Sequence, residues 1–390
     1  MDFAFVNRMA GITRGGGEIW DLRMAEGLEK MGAEVTFYVG KPLRSELPEP
    51  IEGFETVEVP TPHLRDLAYA APKGIGGGLA DIDSRLFMDR TVKKLHGHNH
   101  DIVHINSDPR FARVVSRFDV PVTIKMNGPP YSLWYDVVNP FTSSYEFFDA
   151  FDAVVATGIT TEEIQKRISS EVHTINPGVD TDQFSPDGPT IETDSPTILF
   201  VGRFVPAKNL TLLVEAFANV VEQFPSAELI LVGDGPLKPD VEAEIAQYDL
   251  QDSVRLPGYV DNEDLPEYYR GADVFALSSQ RENHPITLLE SMSCETPVVA
   301  SSIGAIPEIV ENGQTGFLYP VGSASDLAAA INQLLSDPEL CTFCGRRARE
   351  TAINELDWSK HQTELFELYK NTIESAEMDR TNEDSLVEVE

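Results

Sequence analysis

The sequence predicts an α/β protein of two doubly wound domains, each a parallel sheet covered by helices. Three observations carry this. Short apolar runs of strand length alternate with helical patterns along the chain, the order of parallel α/β architecture. At 390 residues the chain is long enough for two full cores. A polar stretch marked by Pro186, Gly188, Pro189 and Pro196 splits the alternation into two series.

The first series has strands at residues 3–6, 35–39, 102–105, 122–125, 153–157 and 172–175, with helices at 18–31, 84–97 and 161–168. The second has strands at 197–201, 227–232, 254–256, 274–277 and 297–300, with helices between them. The expected organisation is a first domain over residues 1–181, a linker over 182–196 and a second domain over 197–357. Residues 377–390 are acidic and read as a disordered tail. Residues 73–78 and 129–139 read as loops.

The chain carries 64 acidic against 30 basic residues, a net charge of −34, so nucleic-acid phosphate is disfavoured as a partner. An acid excess over an ordinary apolar content, with Arg outnumbering Lys, is the composition of a halophilic, haloarchaeal protein. No apolar run approaches 18 residues, and the N-terminus enters a strand without a charged, then apolar, leader. The expected location is the cytoplasm. Three cysteines form no disulfide framework. Cys341 and Cys344, as a lone C-x-x-C on a helix, read as packing residues, and Cys294 reads as core.

The segment Glu282-Asn-His-Pro-Ile-Thr-Leu-Leu-Glu290 places two carboxylates around a helix start. Pro285 suits a first helical turn, where its missing N–H is no loss. Ile286, Leu288, Leu289 and Met292 continue as an apolar face. The N–H groups of that turn, from Ile286 and Thr287 onward, form an anion site. Glu282 lies before the helix and Glu290 on its second turn. Carboxylates repel phosphate but accept hydrogen bonds from hydroxyls. The arrangement suits a molecule with phosphate in the middle and sugars at both ends, a nucleotide-sugar.

Around this segment stand Ala272-Asp-Val-Phe-Ala-Leu-Ser-Ser279 and Ser291-Met-Ser-Cys-Glu-Thr-Pro-Val-Val-Ala-Ser301. Upstream are Val201-Gly-Arg203-Phe-Val-Pro-Ala-Lys208, and downstream Ile306-Pro-Glu-Ile-Val310 and Asn312-Gly313-Gln-Thr-Gly316. Together these motifs resemble the family-4 retaining glycosyltransferases, densely from Ile175 to Leu318. Gly15-Gly-Gly-Glu18 and Asp101-Ile-Val-His104 extend the resemblance more thinly. It implies the GT-B fold, two Rossmann-like doubly wound domains facing across a cleft, with the acceptor side in the first and the nucleotide-sugar in the second. It also implies that a last helix, residues 358–376, returns to the first domain, and that the domains close over the donor.

By this resemblance Arg203 and Lys208 hold the donor diphosphate, and Glu282 contacts the transferred sugar. Glu290 receives the ribose hydroxyls, and Leu256 lies in the nucleobase wall. Gly15, Gly16 and Gly17 approach the phosphates from the first domain. Physical chemistry agrees: a guanidinium is bidentate toward phosphate, a lysine adds a point charge, and ligands of doubly wound sheets bind at strand C-termini. Two positions depart from the family pattern. Asn283-His284-Pro285 replaces a glycine-containing run, which shifts phosphate contacts to Ile286 and Thr287. Asn127 stands where a histidine is expected; it can hydrogen-bond but cannot transfer protons near neutral pH.

No G-x-G-x-x-G follows the first strand, which disfavours a dinucleotide dehydrogenase. No D-x-D stands at a strand end, so no metal and no cofactor is expected. The expected function is retaining transfer of a hexose from a nucleotide-sugar to a hydroxyl of a glycan, a polyprenyl- or other lipid-linked acceptor, or a small molecule. Alternatives are a sugar-nucleotide epimerase, a phosphorylase or a non-catalytic nucleotide-sugar binder. Arg85, Arg90, Lys93 and Lys94 share a helix with few acids, which raises a peripheral contact with the inner membrane surface.

Overall fold

The computed structural model describes residues 1–8, 10, 16–42, 51, 53–62, 73–127 and 148–387. The chain forms two units, Met1–Asn176 with Ser359–Glu390, and Pro177–Trp358.

The first unit holds a seven-stranded sheet. Its strands are β1 (Asp2–Asn7), β2 (Glu34–Pro42), β3 (Glu55–Thr61), β4 (Ile102–Asn106), β5 (Val122–Met126), β6 (Ala153–Ala156) and β7 (Val172–Thr174). They run parallel in the order β3-β2-β1-β4-β5-β6-β7, so the winding reverses between β1 and β4. The helices include α1 (Gly16–Lys30), α2 (Lys73–Leu95) and α3 (Thr160–Gln165). Sequence patterning has no strand at β3. Its acids and Pro60 read against one, yet an edge position tolerates both. Residues 73–78, expected as a loop, are the start of α2. Glycine costs about 1 kcal/mol per helical position, but a helix nucleated further on extends over it.

The second unit holds a six-stranded sheet of β8 (Thr197–Val201), β9 (Glu228–Val232), β10 (Val254–Gly258), β11 (Val274–Leu277), β12 (Val298–Ser301) and β13 (Gly316–Tyr319). The order β10-β9-β8-β11-β12-β13 is again parallel and reverses between β8 and β11. β8, β11 and β12 are buried along their whole length, as strands covered on both faces must be. Around them lie α4 (Leu210–Gln223), α5 (Lys238–Gln247), α6 (Leu265–Gly271), α7 (Ile286–Ser293), α8 (Ile306–Ile309), α9 (Ala324–Ser336) and α10 (Pro338–Thr351). Leu210, Leu213, Val214, Phe217 and Val220 supply the buried stripe of α4 at helical spacing.

The stretch expected as a linker, residues 182–196, belongs to the second unit. Phe184 is part of that unit's apolar core, and Arg270 donates to the Pro189 carbonyl at 2.7 Å. Prolines and glycines marked turns there, not a boundary. The chain passes between the units next to Gly178, where an added Cβ would stand 2.8 Å from the Leu356 carbonyl.

The last helix, α11 (Trp358–Val387), lies in the first unit from Ser359 onward. Tyr369 packs edge-on against Phe3, and Gln362 donates to the Arg23 carbonyl at 2.6 Å. The helix continues past Glu377, where acidic composition predicted disorder. Helix propagation needs only one added hydrogen bond per residue once the packed turns exist.

Candidate active site

In the second unit, the loops after β8 and β11 leave the sheet at its switch point, where doubly wound sheets bind ligands. Gly202 opens the first loop. It passes directly over the β9 turn: an added Cβ at Gly233 would lie 2.0 Å from the Gly202 carbonyl. Phe204 N–H donates to the Asp234 carbonyl at 2.9 Å, which ties the two turns together. Arg203 is exposed, and its guanidinium has no protein partner among the described residues. Lys208 ends a 3-10 turn, Pro206–Lys208.

Lys208 Nζ pairs with Glu282 Oε1. The same oxygen accepts from Ser279 Oγ at 2.7 Å. Two further bonds lock the loops: Ser278 Oγ to the Lys208 carbonyl at 2.8 Å and Gln280 N–H to the Ala207 carbonyl at 2.8 Å. Gly304, at φ +59, lies under Glu282; a Cβ there would stand 2.1 Å from the Glu282 carbonyl. Only glycine gives both that backbone angle and that approach.

Pro285 precedes α7 instead of sitting in its first turn, with φ −78 and ψ 107. Its carbonyl accepts from Leu288 N–H at 3.1 Å, which starts the helix. Helical geometry leaves the N–H groups of Ile286 and Thr287 without intrahelical acceptors, and both residues are half-buried. Glu290, on the second turn, is 7% exposed and accepts from Tyr269 Oη at 2.7 Å. Leu256 lies on the edge strand β10 and packs on the apolar core.

Gly16, Gly17 and Asn127 lie in the first unit. Gly15 lies outside the described residues. Gly16 and Gly17 open α1, at the switch point of the first sheet. The Gly17 carbonyl accepts from Lys125 Nζ at 3.4 Å and Asn106 Nδ2 at 3.3 Å. A Cβ at Gly17 would stand 2.3 Å from Asn127 Nδ2. Asn127 donates to Asn106 Oδ1 at 2.9 Å and Ser107 Oγ at 2.8 Å.

Below this turn is a buried polar cluster. Asp21 Oδ2 accepts from Asn7 at 2.7 Å and Asn106 at 2.6 Å. Asp21 Oδ1 lies 3.7 Å from Lys125 Nζ and 3.8 Å from His104 Nε2. Lys125 also sits 4.1 Å from the Trp20 ring centre, and Tyr369 Oη lies 2.6 Å from His104 Nδ1. Burial pushes Lys125 down to about 8 against the pull of Asp21. Burial would raise the Asp21 carboxyl, but Lys125, His104 and Asn106 together hold it below its usual range.

The sequence model described as "Glycosyl transferases group 1" matches residues 182–351, and that described as "Glycosyltransferase Family 4" matches residues 14–183. The chain belongs to the family-4 glycosyltransferases. Among curated members, it is 32% identical to an alpha-D-kanosaminyltransferase of Streptomyces kanamyceticus over 38% of each chain. It is 26% identical to the N-acetyl-alpha-D-glucosaminyl L-malate synthase of Bacillus anthracis over 78% of this chain and 74% of that one. The alignment therefore spans well under half of the first relative's length. Among solved structures, a sucrose-phosphate synthase from Thermosynechococcus elongatus superposes with a TM-score of 0.78 at 21% identity, over 96% of this chain and 99% of that one. The two parallel-sheet units are the GT-B fold.

Sequence reasoning did not anticipate the contacts of Ser279, Tyr269 and Gly304 in the second unit, or of Asp21, His104 and Lys125 in the first. Ser279 had a local signal, a hydroxyl three positions before Glu282. Tyr269 had none, because its partner is on another helix. Cys344 is fully buried and Cys341 Sγ lies 3.4 Å from the Asp273 carbonyl, so the C-x-x-C is packing in α10. Among the described residues no cluster of His, Cys, Asp or Glu has metal-site geometry. No described helix is long and apolar enough to cross a membrane.

Proposed function

We propose that the protein transfers a hexose from a nucleotide-sugar to a hydroxyl acceptor with retention of anomeric configuration. The observation that carries this is the Lys208–Glu282 pair at the switch point of the second sheet, Lys208 on the loop after β8 and Glu282 on the loop that precedes the N-terminus of α7. In the reaction the anomeric C–O bond to the donor phosphate breaks, and charge grows on the departing diphosphate. Arg203, Lys208 and the N–H groups of Ile286 and Thr287 stabilise that charge more than they stabilise the bound donor. Glu282, held by Ser279, orients the sugar through its hydroxyls. Glu290 takes the ribose. Retention follows from family membership.

The acceptor is a glycan, a lipid-linked sugar or a small molecule. Lys93 and Lys94, both exposed in the last turn of α2, support a peripheral contact with an anionic lipid surface.

Donor binding and hydrolysis across UDP-, GDP- and ADP-sugars, in molar salt and with lipid-phosphate acceptors present, tests the reading. Saturable turnover of one donor, lost in Glu290→Ala, supports it. Binding with no turnover makes the protein a nucleotide-sugar binder, and an epimerised or phosphorolysed product moves it to those chemistries.

A further inference from the structure

Glu290 is a carboxylate almost wholly buried in α7, among the buried side chains Leu288, Leu289, Ser291 and Met292. Such a group needs a strong donor to stay there. Tyr269 supplies one, with its hydroxyl 2.7 Å from Oε2. Tyr269 is itself fully buried and held on several sides. Its ring stands edge-on to Phe184 at 5.8 Å and tilted against Phe275 at 5.7 Å, and its carbonyl accepts from Thr296 Oγ1 at 2.6 Å. The ring is packed on several sides, so its hydroxyl holds Oε2 of the carboxylate from a set position before any ligand arrives.

We propose that Tyr269 is the positioning residue for Glu290, and that through it the site sets its preference for a ribose over a deoxyribose nucleotide. The proposal rests on the reading that Glu290 receives the ribose hydroxyls. Burial and the adjacent Glu290 push the phenol well above its ordinary range, so Tyr269 remains an O–H donor at every working pH. A hydroxyl that only filled core space would leave the sugar preference untouched when removed. One that aims the carboxylate changes the affinity of hydroxyl-bearing ligands alone.

The test is calorimetric titration of the full chain and of Tyr269→Phe with UDP, GDP and ADP and with their 2′-deoxy and 3′-deoxy counterparts. A hydrogen bond to a charged group predicts a wild-type preference for ribose of roughly 10- to 100-fold. Tyr269→Phe is expected to cut that preference about fivefold or more, through weaker ribose binding at unchanged deoxyribose binding. In a Glu290→Ala background the same change should do nothing further. Equal preference in wild type and Tyr269→Phe, or equal weakening of ribose and deoxyribose ligands, overturns the positioning role and leaves the Glu290 reading standing. A wild type that does not discriminate, or binds none of the three diphosphates, overturns the Glu290 reading and this proposal with it. If Tyr269→Phe does not fold, 3-fluorotyrosine placed at position 269 alone keeps the hydroxyl. Its fluorine resonance should move with the ribose nucleotide and not with the deoxy form; the same response to both overturns the proposal.

Discussion

Lys208 and Glu282 meet across 74 residues of sequence, one on the loop after β8 and the other on the loop after β11. The cation assigned to donor phosphate is thus engaged by the carboxylate assigned to donor sugar. A phosphate arriving at Lys208 competes with Glu282, and the displaced carboxylate keeps its bond to Ser279. Lys208→Ala should lower kcat/KM by roughly 100- to 1,000-fold, comparable to losing one charge-stabilising donor. Glu282→Gln should act mainly on kcat. Because the two side chains share one interaction, the double variant should lose less than the product of the single losses. Steady-state kinetics on the three variants decides this; strictly multiplicative losses would show that the two side chains act independently in turnover.

Gly304 sets the height of the Glu282 loop. Gly304→Ala puts a methyl group 2.1 Å from the Glu282 carbonyl at φ +59, so the loop must move. A fall in kcat/KM of about tenfold or more is expected, with a melting midpoint lower by several degrees. Gly313→Ala is the control. It has φ +77 and open space around it, so it carries only the left-handed strain of about 1 to 2 kcal/mol and should keep activity. Equal activity in the two variants would refute the role of Gly304.

The depressed Lys125 gives a pH signature. Its folded pKa is about 8 against 10.5 for the free side chain. Below pH 8 the ammonium is charged in both states and its contribution does not vary with pH. Between about 8 and 10.5 the unfolded chain binds the extra proton, so stability attributable to Lys125 rises with pH. The difference in unfolding free energy between wild type and Lys125→Gln should therefore grow in favour of wild type from pH 8 to 10, measured by urea titration. A flat difference would mean that the lysine keeps its proton on folding.

The net charge of −34 makes a third kind of prediction. The Debye length shrinks from about 10 Å at 0.1 M salt to about 3 Å at 1 M, which removes most repulsion between surface carboxylates. The melting midpoint should rise by several degrees between 0.1 and 2 M KCl. A midpoint that is unchanged or falls would show that the acid excess does not limit stability.

Much of this molecule was legible because its signals are local. The apolar runs at 197–201 and 274–277 mark buried strands wherever they occur, and Pro285 followed by the apolar face of Ile286, Leu288, Leu289 and Met292 marks the start of α7 to within a residue. Edge strand β3 escaped because an edge tolerates the acids and the proline that read against a strand elsewhere. The turn residues 182–196 looked like a linker because prolines and glycines report a change of direction and not which core receives the chain.

The sequence by itself determined the alternation of strands and helices, the acidic surface and which side chains offer phosphate and hydroxyl chemistry. The tertiary structure decided which of them meet. Lys208 reaches Glu282 because strand order sets β8 beside β11, Lys125 reaches Asp21 because β5 lies next but one to β1 across β4, and Tyr269 reaches Glu290 because α6 packs against α7. Such contacts join residues far apart in the chain, and their free energy depends on burial and geometry that no local stretch of sequence carries.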